Sequence, residues 1–246
     1  GLKLVAGIEG HHFDDLIQQG LNAKQAGADM LLVLPPFDVR PYRMLAGHPE
    51  SVKAIFQRLN DEVGLPMIVF QYPEATGCAY SLPSLQRIAS LKNVVGIKAA
   101  TVTASKYAEI NDALGDQLAV LAACDAPSLL GMLLHNAPGA LLGISVVGTQ
   151  QWVEIIREAT TGDARKAKEL HNQFGVPLMD GIYEYQLQKT PVSTCAANKE
   201  ALVQLGEIPS SWVRPPALNI TPARQAAIRG ALQKSGLLMA KTAVGM

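Results

Sequence analysis

Asn93-Val94-Val95-Gly96-Ile97-Lys98-Ala99-Ala100 is a short run of apolar, mostly β-branched residues that ends in a single lysine. Such a run is typical of a strand buried on both faces, as in parallel sheets covered by helices. It predicts that Lys98 lies at the carboxyl end of a parallel strand, where α/β sheets and barrels bind ligands. A lysine with apolar surroundings at the end of a strand is poorly solvated as an ammonium. This favours the neutral amine, which is the form that attacks carbonyl carbons. The alternative is a lysine that reaches water from the strand end and has no chemical role.

Outward from this run, the chain alternates between predicted strands and predicted helices. Six apolar runs are predicted as strands, at residues 3–8, 30–34, 67–70, 93–100, 118–122 and 140–145. Strands that alternate with helices of about 10–15 residues imply parallel βαβ units. From residue 150 onward the pattern is helical only, with predicted helices at residues 152–160, 164–188, 192–205 and 222–234.

A closed barrel of such units needs eight strands, and six are recognisable. One architecture that fits is an α/β fold of the (β/α)8 TIM-barrel type that lacks roughly the first two βα units. Residues 1–149 form the partial barrel in this interpretation, and residues 150–246 form the last barrel helix and a C-terminal helical appendage. An open, doubly wound sheet is the alternative. No Gly-x-Gly-x-x-Gly turn follows any strand, so a dinucleotide-binding version has no support.

Composition narrows the choice of partners and compartment. Lys plus Arg and Asp plus Glu both total 21, and this zero net charge argues against nucleic acid or an anionic membrane as a partner. No apolar run approaches the ~18 residues of a transmembrane helix, and nothing resembles a signal peptide. Three scattered cysteines, Cys78, Cys124 and Cys195, have neither metal-ligand spacing nor a disulfide framework, which fits a reducing cytoplasm.

Several short motifs occur in an order and spacing that are fairly specific together. They are Val5-Ala6-Gly7, Ala26-Gly27-Ala28-Asp29 followed by Pro35-Pro36-Phe37, Phe70-Gln71-Tyr72-Pro73 with Thr76-Gly77, Val95-Gly96-Ile97-Lys98, Gly143-Ile144-Ser145 and the C-terminal Ala231-Leu232. Over nearly its whole length the chain resembles the dihydrodipicolinate synthase / N-acetylneuraminate lyase family of Schiff-base aldolases and dehydratases. The resemblance makes the six strands equivalent to barrel strands 3–8.

The resemblance implies a lyase that acts on a 2-keto acid. Lys98 matches the lysine that forms the Schiff base, so neither a metal nor an organic cofactor is needed. Thr76, Gly77, Gly143 and Ile144 fall in the matched loops and are expected to bind substrate. A homo-oligomer, dimer or tetramer, is expected as well.

Departures from the family pattern concern proton transfer. The family's catalytic tyrosine falls on Phe70, and its second relay tyrosine falls on Phe37 or Pro36, none of which carries a hydroxyl. Tyr72 is the nearest replacement in sequence, although a packed loop aromatic is its alternative role. The absence of both hydroxyl groups leaves open a second interpretation. The protein would then be a non-catalytic or regulatory homologue that binds a keto acid without turnover.

Other polar residues near strand ends have simpler interpretations. Asp125 follows the fifth predicted strand and is expected to be the N-cap of the next helix. Glu9, His11 and His12 follow the first strand, and their spacing does not make a metal site, so a solvated loop is expected.

Overall fold

The computed structural model describes residues 1–10, 12–35, 44–183 and 194–239. The chain divides into two compact units. The strand unit consists of Gly1–Cys124 with His135–Leu141, and the helical unit consists of Asp125–Leu134 with Leu142–Met246. The boundary expected after residue 149 remains a prediction.

The strand unit contains a five-stranded parallel sheet in which the strands follow chain order. The strands are Val5–Ile8 (β1), Met30–Val33 (β2), Met67–Gln71 (β3), Val94–Ala99 (β4) and Ala119–Ala122 (β5). Its helices are Phe13–Gln25 (α1), Pro49–Glu62 (α2), Leu82–Ala89 (α3) and Ala104–Leu114 (α4), with a short 3₁₀ turn at Glu74–Thr76. The first five predicted strands are therefore confirmed, with ends that differ by at most two residues.

The sheet forms because its β-branched residues line up across all five strands. Each member of one row is paired in register with the next, and each is at most 2% exposed; the row is Ile8, Val33, Val69, Ile97 and Val120. Burying a side chain of this size contributes about 1.5–3 kcal/mol. Because side chains alternate along a strand, the next residue of each strand faces the opposite side of the sheet.

The sixth predicted strand, residues 140–145, is wrong. Ala140 makes one isolated parallel bridge with Ala122, and Ile144–Val146 is a 3₁₀ turn. The chain turns here because the carboxylate of Asp125 accepts the backbone N–H groups of Gly143 and Ile144, which a strand would use in a ladder. An apolar run of this length does not distinguish a strand from a buried turn.

The helical unit consists of helices and short turns over its described residues. The helices are Leu129–Leu134 (α5), Thr149–Thr161 (α6), Ala164–Leu170 (α7), Val176–Tyr183 (α8), Thr194–Gln204 (α9) and Pro222–Lys234 (α10). A π-helical turn, His171–Gly175, interrupts the helix predicted at 164–188, whose last five residues lie outside the described part. Among the described residues, no helix has both the length and the hydrophobicity needed to cross a bilayer.

Candidate active site

Lys98 lies one residue before the end of β4, in the row that follows the buried β-branched row. Its register partners are Phe70 on β3 and Leu121 on β5. The Nζ atom lies 3.9 Å from the centroid of the Phe70 ring, and the side chain is partly buried. At this distance the ring quadrupole attracts an ammonium group, so the contact favours the charged form of the lysine.

Tyr72 contacts Phe70, the aromatic register partner of this lysine. Its ring centroid lies 4.4 Å from that of Phe70, at an interplanar angle of 82°, in an edge-to-face arrangement. Lys98 and Tyr72 therefore meet the same aromatic ring. The structure brings together the three residues that the sequence assigned to catalysis, Lys98, Phe70 and Tyr72, and the ring between the other two has no hydroxyl.

The Tyr72 phenol keeps its proton at neutral pH. Burial is the largest cause that raises the pKa of Tyr72, to about 12, and electrostatic contributions from Glu9 and then Cys78 add to it. A phenol with this pKa donates a hydrogen bond and is a weak acid rather than a resident base.

Glu9, expected to lie in a solvated loop, follows β1 at the same edge of the sheet. Its side chain is exposed, but its backbone is held by Gln19. The Glu9 N–H donates to Gln19 Oε1 at 3.1 Å, and Gln19 Nε2 donates to the Glu9 carbonyl. Its position at a strand end was the only sequence signal of an electrostatic role.

The loop after β3 carries Thr76 and Gly77, two of the residues expected to bind substrate. The Thr76 hydroxyl donates to the Pro73 carbonyl at 2.7 Å and accepts the Cys78 N–H at 3.2 Å. Gly77 has a φ of 69°, a conformation in which glycine is favoured. These groups shape the loop, and their contact with substrate stays a prediction.

Gly143 and Ile144 belong to the helical unit, where the Asp125 carboxylate accepts hydrogen bonds from their backbone N–H groups. The Gly143 and Ile144 N–H groups donate to the Asp125 carboxylate at 3.3 and 3.0 Å. Asn198 Nδ2 donates to the Gly143 carbonyl at 3.3 Å and to the Tyr183 hydroxyl at 3.2 Å. Burial and then the charge of Asp125 raise the pKa of Tyr183. The helix for which Asp125 was expected to be the N-cap begins only at Leu129.

Gln71 is a functional candidate that the sequence reasoning missed. It is polar, 1% exposed, and hydrogen-bonded through its side-chain amide. A polar residue that ends an apolar strand was the available signal. Pro36, Phe37 and His11 lie outside the described residues. Within the described part of the chain, no group of three or more His, Cys, Asp or Glu side chains is arranged to hold a metal ion.

Comparison with known proteins agrees with this architecture. The profile of the Dihydrodipicolinate synthetase family matches residues 2–235. The chain is 28% identical over 238 residues to 4-hydroxy-tetrahydrodipicolinate synthase from Methylobacterium radiotolerans, covering 97% of this chain and 74% of that protein.

Solved structures of the same family have this fold. A monomeric dihydrodipicolinate synthase variant superposes with a TM-score of 0.83 at 24% identity, covering 96% of this chain and 75% of its own. YagE, a prophage protein of the dihydrodipicolinic acid synthase family from E. coli K12, solved in complex with pyruvate, gives 0.81 at 25% identity over 96% and 76% of the two chains. The α/β fold of TIM-barrel type is thereby confirmed and, at the level of the family, so is the expected Schiff-base-forming lyase. The chain belongs to the dihydrodipicolinate synthetase family.

Proposed function

We propose that the protein is a lyase that binds a 2-keto acid as a Schiff base on Lys98, with pyruvate as the first candidate. The observation that carries the proposal is the position of Lys98, partly buried at the carboxyl end of β4 and beside the Phe70 ring, which Tyr72 contacts in turn. The pyruvate bound to the related YagE supports the choice of keto acid.

The reaction begins with attack of the neutral Lys98 amine on the keto carbon. The resulting carbinolamine loses its hydroxyl group as water when an acid protonates it, and the product is a protonated imine. This imine withdraws electrons from the neighbouring carbon, so that a C3 proton leaves and an enamine forms. The enamine then condenses with a carbonyl compound, or the reverse sequence cleaves a C–C bond.

Tyr72 is the proposed proton shuttle. Its phenol is protonated at neutral pH and donates to the departing hydroxyl group. The phenolate left behind takes the C3 proton of the imine, which restores the phenol and balances the cycle. The nearby Phe70 occupies the position of the family tyrosine but has no proton to transfer.

A second candidate function is a homologue that binds a keto acid without turnover. The specific observation in its favour is the contact between Lys98 and Phe70, which favours the ammonium and supplies no relay. Both candidate functions bind a keto acid at Lys98. They differ in whether the protein removes a proton from C3 of the keto acid.

The test is to incubate the protein with pyruvate and borohydride and to map the reduced adduct by mass spectrometry. We expect a three-carbon adduct on Lys98 that is lost in Lys98→Arg. Exchange of the pyruvate methyl protons with deuterated solvent, followed by NMR, then separates the two candidates. Exchange supports the enzyme, an adduct without exchange supports the binding homologue, and a label on another lysine refutes both.

The proposal includes several finer expectations. From the family resemblance, Thr76, Gly77, Gly143 and Ile144 are also proposed to bind the keto acid. A cytoplasmic homo-oligomer, dimer or tetramer, is proposed as well, and the three free cysteines suit a reducing compartment. Sedimentation velocity tests the oligomeric state, which is open because one related synthase is described as monomeric.

A further inference from the structure

Gln71 ends β3 with a pair of hydrogen bonds from its side chain to the backbone of a single residue. Its Nε2 donates to the Tyr80 carbonyl and its Oε1 accepts the Tyr80 N–H, both at 3.0 Å. The residue is 1% exposed. A buried amide with both functions satisfied holds a unique geometry, because losing either partner leaves a buried polar atom without a hydrogen bond.

The loop that follows β3 runs from Tyr72 to Tyr80, and its Tyr80 end is anchored as well. The Tyr80 ring is 4% exposed and packs edge-on against Phe56, with ring centroids 6.0 Å apart. Ser81 then caps α3 by accepting the Ser84 N–H at 3.3 Å. The side-chain amide of Gln71 connects Tyr80 directly to the end of β3.

Gln71 is also linked to the strand of the candidate lysine. Its backbone carbonyl accepts the N–H of Ala100, two residues after Lys98, at 3.0 Å. One residue therefore joins β3, the end of the Lys98 strand and the far end of the loop. Tyr72, which contacts the Phe70 ring, is the first residue inside the loop that Gln71 closes.

We propose that Gln71 is a positioning residue that holds the Tyr72 phenol at the imine on Lys98 by closing the loop between Tyr72 and Tyr80. This role rests on the proposed function, since it requires a Schiff base at Lys98 and proton transfer by Tyr72. Gln71 does not touch the substrate. Loss of its amide lets the start of the loop move, so proton transfer at C3 slows, whereas imine formation continues because water can supply the proton that expels the carbinolamine hydroxyl.

The experiment measures two reactions of pyruvate in the same variants, borohydride trapping on Lys98 and deuterium exchange of the methyl protons. In Gln71→Met, similar in size but without the amide, we expect trapping within about twofold of wild type and exchange lowered at least ~10-fold toward the level of Tyr72→Phe. Gln57→Met is the matched control, because the Gln57 side chain donates to Asp61 one turn further along α2 and is not part of the loop, and it should change neither rate.

The decisive comparison is made in the Tyr72→Phe background. If Gln71 acts through Tyr72, Gln71→Met has no further effect on exchange there. An equal loss of exchange in both backgrounds overturns the proposal and leaves the proposed function intact. A wild-type protein that traps no keto acid overturns the proposed function, and the role of Gln71 falls with it.

Gln71→Glu keeps the test valid if Gln71→Met fails to fold. A carboxylate still accepts the Tyr80 N–H but cannot donate to its carbonyl, so one of the two bonds survives. We expect exchange between that of wild type and Tyr72→Phe, with trapping unchanged. Exchange equal to that of wild type in a folded Gln71→Glu protein, or loss of trapping and exchange by the same factor, counts against the proposal.

Discussion

Lys98 and Phe70 are direct partners in the parallel register of β3 and β4, and the lysine Nζ lies 3.9 Å from the centre of the phenylalanine ring. The contact stabilises an ammonium, whereas attack on a carbonyl needs the neutral amine. Phe70 would therefore affect the proposed nucleophile directly, in addition to lacking the hydroxyl group that the family resemblance expects at its position.

Replacement of the ring tests this effect. Phe70→Leu should raise the rate of pyruvate trapping on Lys98 at neutral pH roughly 2- to 30-fold, the equivalent of about 0.5–2 kcal/mol of lost cation–ring attraction. Phe70→Tyr keeps the ring and is the matched control, with a trapping rate within about twofold of wild type. Equal acceleration in both variants would show that the ring face does not restrain the amine. Borohydride quenching at short times gives the rates.

The titration of Tyr72 has a defined electrostatic contribution from Glu9. The difference in phenolate absorbance between wild type and Tyr72→Phe after a rapid jump to alkaline pH should titrate with a pKa of about 12. Glu9→Gln should lower this pKa, and it should stay above 10 because burial is the larger cause. Glu50→Gln, which removes a carboxylate paired with Arg87 on the helices, is the control. No shift in Glu9→Gln would mean that water screens this charge from the phenol.

Stability should depend on pH through the same phenol. Its pKa is raised in the folded protein, so between pH 10 and 12 the unfolded chain releases a proton that the folded chain keeps. The free energy of unfolding therefore falls as the pH rises through this range, and Tyr72→Phe removes that part of the slope. Urea titrations at several alkaline pH values measure it, and an unchanged slope in Tyr72→Phe contradicts the expectation.

His171 should make the helical unit sensitive to acid. It is 2% exposed in the π-helical turn, and burial lowers its pKa from the ordinary 6.5, with a smaller opposing contribution from the Asn172 side chain. Below pH 6.5 the unfolded chain takes up a proton before the folded chain does, so the free energy of unfolding falls as the pH decreases, by up to about 1.4 kcal/mol per pH unit. His171→Leu should flatten this dependence in urea titrations, with the exposed His12→Gln as control. The same slope in His171→Leu and wild type would assign the acid sensitivity to other groups.

Two glycines in the helical unit should respond oppositely to the same substitution. A methyl group on Gly181 in α8 would overlap the Ala231 side chain in α10, whereas one on Gly230 meets no atom within 4 Å. Gly181→Ala should lower the free energy of unfolding by about 1–3 kcal/mol through overpacking. Gly230→Ala should raise it by up to about 1 kcal/mol through helix propensity. Thermal denaturation compares them, and no loss of stability in Gly181→Ala would show that the two helices separate without cost.

The parallel strands and the place of Lys98 were predictable from local sequence. A continuous β-branched run between helical segments favours a parallel strand, and the carboxyl ends of parallel strands meet at one edge, so Phe70 and Lys98 were expected to lie close together. The conformation of the short run at residues 140–145 was not predictable in this way, because the same apolar residues also occur in a buried turn. The π-helical turn at His171 was not predictable either, because its residues also fit a continuous helix.

The contacts that decide the chemistry were available only from the tertiary structure. The Gln71 amide bonds Tyr80, nine residues away, and the Asp125 carboxylate bonds the N–H groups of Gly143 and Ile144, 18 and 19 residues away. Amides and carboxylates bond equally well to a neighbouring backbone, a helix end or water, so sequence alone leaves their partners open. Folding decides among them, because burial removes water as a competitor and leaves one backbone partner within reach.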